Sequence, residues 1–127
     1  MGLSAAKDAL ANAGIQGEDL DLVIFVSGGD YDYRNWCPSS AVAHALGCSH
    51  AYAFEVRNGC AGGNLACHIA GGLMERDASI VNALVICTDT LSRRSCPPNW
   101  RRATRGSTSV SESPPSCSSA TIRAVNF

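Results

Sequence analysis

No apolar run in this chain approaches the roughly 18 residues needed to cross a bilayer as a helix. The opening MGLSAAKDAL has neither the basic stretch nor the apolar core of an export signal. Together these absences predict a soluble, cytoplasmic protein with no membrane partner. No C-x-x-C pair occurs among the seven cysteines. An odd count without an export signal argues for reduced thiols rather than a disulfide framework. Cys60 and Cys67 do not have a usual zinc spacing. Asn64 stands where haem attachment ahead of Cys67 and His68 would need a cysteine. Neither SGGD nor GCAGG satisfies a phosphate-loop or dinucleotide fingerprint. No metal and no cofactor is expected.

What is present fits one domain: 127 residues, 46% of them hydrophobic. The net charge of -1 hides an asymmetry. Residues 1–92 carry four Lys/Arg and ten Asp/Glu, whereas residues 93–127 carry six Arg and one Glu. A basic end can be a nucleic-acid-binding arm. That reading predicts salt-sensitive DNA binding through the five arginines of 93–105. It is not the reading adopted here, and no nucleic-acid partner is expected.

From Met1 to Leu91 the pattern is regular. Leu3, Ala6, Leu10 and Ala13 recur at helical spacing, and Gly14 marks a stop. DLVIFVSGG (21–29) suits a strand buried on both faces. After the polar loop DYDYRNW, the segment CPSSAVAHALG (37–47) reads as a helix with Pro38 in its first turn and Gly47 as its cap. AYAFEV (51–56) and ALVICTDT (83–90) read as strands. Residues 61–77 read as a helix in which Leu65, Ile69 and Leu73 share one stripe. Strands alternating with helices predict an α/β layered fold with parallel pairing. From Ser92 onward the order is lost. That segment of 36 residues holds nine serines and four prolines, a composition that predicts disorder.

Cys60 lies in EVRNGCAGGNLACHIAGG (55–72), between a strand-like run and a glycine-rich helical start. A thiol ionises near pH 8.5 or so, and the thiolate is the nucleophile. A helix start offers free N–H groups and the positive end of a dipole, which stabilise a thiolate. The same groups can stabilise an oxyanion on a thioester carbonyl. Gly59, Gly62 and Gly63 would relieve crowding and admit a substrate to the backbone. The logic is that of the nucleophile elbow, with sulfur in place of oxygen. Against this, a cysteine among glycines is more often a small packed hydrophobe. The sequence pattern alone leaves both open. Cys67, His68 and Cys87 read as structural, Cys37 and Cys48 have no evident role, and His44 reads as a partly buried polar residue.

Taken in order, AAKDALANAG, DLVIFVSGGDYDY, CPSSAVAHALG, AYAFEVRNGCAGG and ALVICTDTLS resemble the β-ketoacyl-acyl-carrier-protein synthase III group of thiolase-fold condensing enzymes. The resemblance covers about residues 3–91. It implies a five-layered α/β/α/β/α fold, of which residues 1–91 would be part of the N-terminal half. It implies that Cys60 accepts an acyl group from an acyl-CoA or acyl carrier protein thioester. Condensation with a malonyl thioester would follow, with loss of carbon dioxide. It also implies a homodimer pairing around strand 51–56.

Departures from the family matter as much. Its members are more than twice this length, and their catalytic His and Asn lie in the second half. None of His44, His50 or His68 occupies a matching position. The expectation is an internal piece of a condensing enzyme, with a catalytically inactive truncated product or a branch serving another acceptor as alternatives. Half a core would leave 22–27 and 83–88 partly uncovered and the chain prone to aggregate. Family members also continue with a strand resembling F-G-D-G-A-A-A-V-V-L. Residues 108–123, read two bases out of frame, permit F-G-x-G-x-A-A-V-V-L-V-R-D-D-P. A frameshift between roughly Ser92 and Arg105 would therefore account for the tail of 92–127.

Overall fold

The computed structural model describes residues 2–28 and 35–90, together with the backbone of 118–125. Three helices and four strands follow in the order α1 (Gly2–Ala13), β1 (Leu22–Val26), α2 (Pro38–Ala45), β2 (Tyr52–Val56), α3 (Gly62–Arg76), β3 (Ala83–Thr90) and β4 (Ser118–Val125). The described strands form one sheet in the order β2-β1-β3-β4. β1 pairs in parallel with β2 and β3, and β4 runs antiparallel to β3. The disorder expected from Ser92 to Phe127 lies outside the described residues for 92–117, whereas Ser118–Val125 form β4 against β3.

The chain steps from β1 to β2 in one direction and from β2 past β1 to β3 in the other. Right-handed crossovers then place the two connecting helices on opposite faces of the sheet. The packing agrees. On one face Val23, Phe25, Leu84 and Ile86 meet Ala6 and Leu10 of α1 and Val42 and Ala43 of α2. On the other, Leu22, Ile24, Val26, Val56, Ala83 and Val85 meet Ala66 and Ala70 of α3. The result is an α/β/α sandwich with β1 buried on both sides. Each large β1 side chain so buried contributes roughly 1.5–3 kcal/mol.

Two sequence expectations need correction. The runs at 22–27 and 83–88 were expected to be partly uncovered. Residues 22–27 and 83–86 are all buried, and only Cys87 and Thr88 are half-buried. Helices on both faces and strands on both sides of β1 and β3 supply the cover. In α3, the stripe of Leu65, Ile69 and Leu73 seen in the sequence lies beside the face laid on the sheet. The buried positions are Gly62, Ala66 and Ala70, while Leu65 is 39% exposed. Small side chains let the helix backbone approach the strands closely, and Ile69 and Leu73 pack at the flank. His44 is likewise exposed rather than partly buried. Val42 and Ala43 make the core contact of α2, and the next position turns about 100° away.

Helix boundaries follow local chemistry. Gly14 and Gly47 take φ values of +70° and +84° just past α1 and α2, where a side chain would be strained. α2 begins with Pro38, but its N-cap is Cys37, whose side chain makes no capping bond. The cap comes instead from the neighbouring strand. Glu55 of β2 accepts hydrogen bonds from the Ser39 N–H (3.1 Å) and from the Ser39 hydroxyl.

Candidate functional site

β2 ends at Val56, and Arg57 and Asn58 lead into a 3-10 turn, Gly59–Ala61, which runs directly into α3 at Gly62. Cys60 is the middle residue of that turn and is exposed. Gly59 holds φ +49°, which lets the chain reverse off the strand. The Ala61 N–H donates to Asn58 O at 3.2 Å, and the Gly62 N–H donates to Gly59 O. By helix geometry the N–H groups of Gly63 and Asn64 have no acceptor within α3. Cys60 thus sits at the carboxyl end of a parallel strand, where open α/β sheets bind their ligands.

The two glycines that open α3 lie against the sheet. A Cβ on Gly62 would lie 2.6 Å from Val26 Cγ1, and one on Gly63 would lie 3.1 Å from Cys87 Sγ. Their smallness serves helix-to-sheet packing.

The other cysteines and histidines are dispersed. Cys37 is exposed at the start of α2. Cys48 packs half-buried against the first core, and burial pushes its thiol up from the usual range. Cys67 and Cys87 are half-buried. His68 is exposed eight residues beyond Cys60, about 12 Å along the helix axis. His50 lies at the opposite end of the sheet, with Nε2 3.5 Å from Asp21 Oδ1. Among the described residues no group of three or more His, Cys, Asp or Glu could hold a metal ion. No helix of the described residues is long and apolar enough to cross a membrane.

That opposite end holds a cleft of about 580 Å³ lined by residues including Asp21, His50, Tyr52, Leu73, Arg76 and Ile80. Asp21 Oδ2 accepts the Val81 N–H at 2.9 Å and the Asn82 N–H at 3.0 Å. Burial pushes the Asp21 carboxyl up, but the two amides and His50 outweigh it and hold the group below its ordinary value of 3.8. Sequence reading missed both Asp21 and Glu55. The available signal was a carboxylate in or beside an apolar strand, which needs donors from elsewhere.

No protein-family model matches the chain. A curated β-ketoacyl-[acyl-carrier-protein] synthase III from Bartonella bacilliformis is 38% identical over 95 residues, which is 73% of this chain and 28% of that protein. The solved 3-oxoacyl-[acyl-carrier-protein] synthase III from Aquifex aeolicus VF5 superposes with a TM-score of 0.66 at 29% identity, over 76% of this chain and 33% of that one. The tetronic acid condensing enzyme AbyA1 gives 0.65 at 27% identity, over 70% of this chain and 26% of that one. Fold and sequence together place the chain in the thiolase-fold class, where it corresponds to part of the N-terminal half. Within that class the chain belongs to the β-ketoacyl-acyl-carrier-protein synthase III family. It spans about 28% of the length of the curated relatives it matches.

Proposed function

We propose that Cys60 is the acyl-accepting nucleophile of a condensing enzyme in fatty acid or polyketide synthesis. The observation that carries this reading is the exposed thiol in the turn between β2 and α3. The thiolate attacks the carbonyl of an acyl-CoA or acyl carrier protein thioester. A carbon–sulfur bond forms to Cys60, the carrier's carbon–sulfur bond breaks, and the carrier leaves as a thiol. The helix dipole stabilises the thiolate, and the N–H groups at the start of α3 offer donors for the oxyanion.

In the second half-reaction a malonyl thioester loses carbon dioxide, and its enolate attacks the acyl carbon and releases Cys60. That step needs a donor to the malonyl carbonyl. None of His44, His50 and His68 is placed for it: one is exposed on α2, one is at the far end of the sheet, and one is two turns down α3. The chemistry assigned to these residues themselves is therefore acyl capture. A second reading is transfer from Cys60 to an acceptor other than a malonyl thioester; a tetronic acid condensing enzyme is among the structural neighbours.

Incubation with acetyl-CoA followed by peptide mass spectrometry tests the proposal. A 42 Da-class acetyl adduct confined to Cys60, and lost in Cys60→Ala, is the expected result. An unmodified Cys60, or equal labelling of Cys48 and Cys67, would sink it. The same reading puts the protein in the cytoplasm and makes it a homodimer. β2 is an edge of the sheet among the described residues, with Tyr52 63% exposed. A second copy adding its own β2 there would give a larger particle in light scattering, broken by Phe54→Lys.

A further inference from the structure

Among the described residues, four glycines could not take a Cβ without a contact closer than 3.4 Å: Gly2, Gly17, Gly62 and Gly63. Two of the four are consecutive and follow Cys60 almost directly. The atoms they meet also share a place. Val26 is paired in register with Val56 on one side and with Cys87 on the other. Val56, Val26 and Cys87 therefore form one rung across three parallel strands. The first turn of α3 rests on this rung, Gly62 over Val26 and Gly63 over Cys87.

We infer that Val26 and Cys87 are positioning residues for Cys60, setting how deeply the first turn of α3 seats on the carboxyl edge of the sheet. The inference rests on the reading of Cys60 as the acyl acceptor. The mechanical link is short. The turn carrying Cys60 is bonded to the helix start through the Gly62 N–H to Gly59 O and the Ala61 N–H to Asn58 O. Helix start and turn must then move together. Val26 is 5% exposed and β-branched, so its methyl has little room to rotate away. A Cβ at position 62 would need about 0.8 Å more space to bring 2.6 Å to an ordinary 3.4 Å contact. With the strand held on both faces, the helix start is the part that gives way. Displacements of this size, near 1 Å, are enough to reduce catalytic rates by up to about 100-fold.

The test is a rescue experiment on the whole chain, with two readouts at pH 7. One is the rate of Cys60 alkylation by iodoacetamide, followed by peptide mass spectrometry with Cys67 as an internal reference. The other is acyl capture from acetyl-CoA. Gly62→Ala is expected to slow alkylation of Cys60 about fivefold, as the sulfur leaves the helix dipole. Acyl capture is expected to fall by about tenfold or more. Adding Val26→Ala, which removes the obstructing methyl, is expected to restore both rates. Ile24→Val, a loss in the same core two residues earlier, is expected to change neither. Gly63→Ala with and without Cys87→Ala is the milder pair. There the neighbour needs to yield only a few tenths of an ångström, so this pair decides the matter if Gly62→Ala does not fold. An unchanged Cys60 alkylation rate in the folded glycine variants would overturn the inference. So would equal slowing in Ile24→Val, which would mean general loosening. If the parent protein captures no acyl group, the functional proposal fails, while the alkylation readout still decides the positioning role.

Discussion

The two ends of the sheet are built on opposite plans. At the amino end of the strands, polar groups satisfy one another. Asp21 takes the amides of Val81 and Asn82, His50 sits beside it, and the Asp77 carboxylate accepts the Ser79 hydroxyl and N–H. At the carboxyl end, the start of α3 presents N–H groups with no acceptor within the helix, next to an exposed thiol. The first plan anchors connections between strands. By helix geometry the second keeps N–H groups without an acceptor in α3, which is what the proposed oxyanion site needs. In the cleft at the amino end, the Asp21 carboxylate is already bonded to two amides.

This contrast can be broken by mutation. The largest expected effect is at the carboxyl end: Cys60→Ala should abolish the acyl adduct while leaving the thermal midpoint within about a degree or two, because an exposed side chain contributes little to stability. Next, Ile24→Ala, in the middle of β1 and fully buried, should lower unfolding free energy by about 2–5 kcal/mol in urea titration. It tests the sheet that both ends share. Removing the cap with Glu55→Ala should cost about 1–2 kcal/mol and fray the start of α2, seen as faster amide exchange at Ser40 and Ala41.

The amino end predicts a pH dependence. The folded Asp21 carboxyl lies below its ordinary value, so its stabilising contribution is complete above about pH 5 and is lost as pH falls through the folded value. Asp21→Asn should flatten the acid limb of a stability curve below about pH 4 and cost roughly 1–2 kcal/mol at pH 7. An acid limb identical to the parent's would refute the role given to Asp21. The smallest effect expected is from Ser79→Ala. Its carboxylate partner is fully exposed, so only a slight change in the acid limb should follow.

The tail poses a separate question, which the coding DNA answers. We propose that residues 92–127 reflect a frameshift. A shifted frame with early stop codons, or without the A-A-V-V-L run, would end that idea.

Much of the fold was legible because its signals are local. Gly14 and Gly47 marked helix ends, Pro38 marked a helix start, and the apolar run at 22–26 marked a central strand. Each depends only on backbone conformation or on the number of buried faces. Cys60 was legible as a residue between a strand and a helix for the same reason. The capping of α2 by Glu55 was not legible, because donor and acceptor lie 16 residues apart and meet only through strand pairing. The face that α3 buries was not legible, because size is a poor guide where a helix must lie close to a sheet. Alanine and glycine took the contact, and leucine was left at the side.

What the sequence by itself determined was the succession of helices and strands and the presence of a thiol at one turn, since these follow from local torsional preference and hydrophobic spacing. Only the tertiary structure decided which strands became neighbours. That choice placed Val56, Val26 and Cys87 in one rung beneath Gly62 and Gly63. Contacts between residues far apart in the chain arise from how layers pack, and packing is a property of the assembled sheet rather than of any one segment.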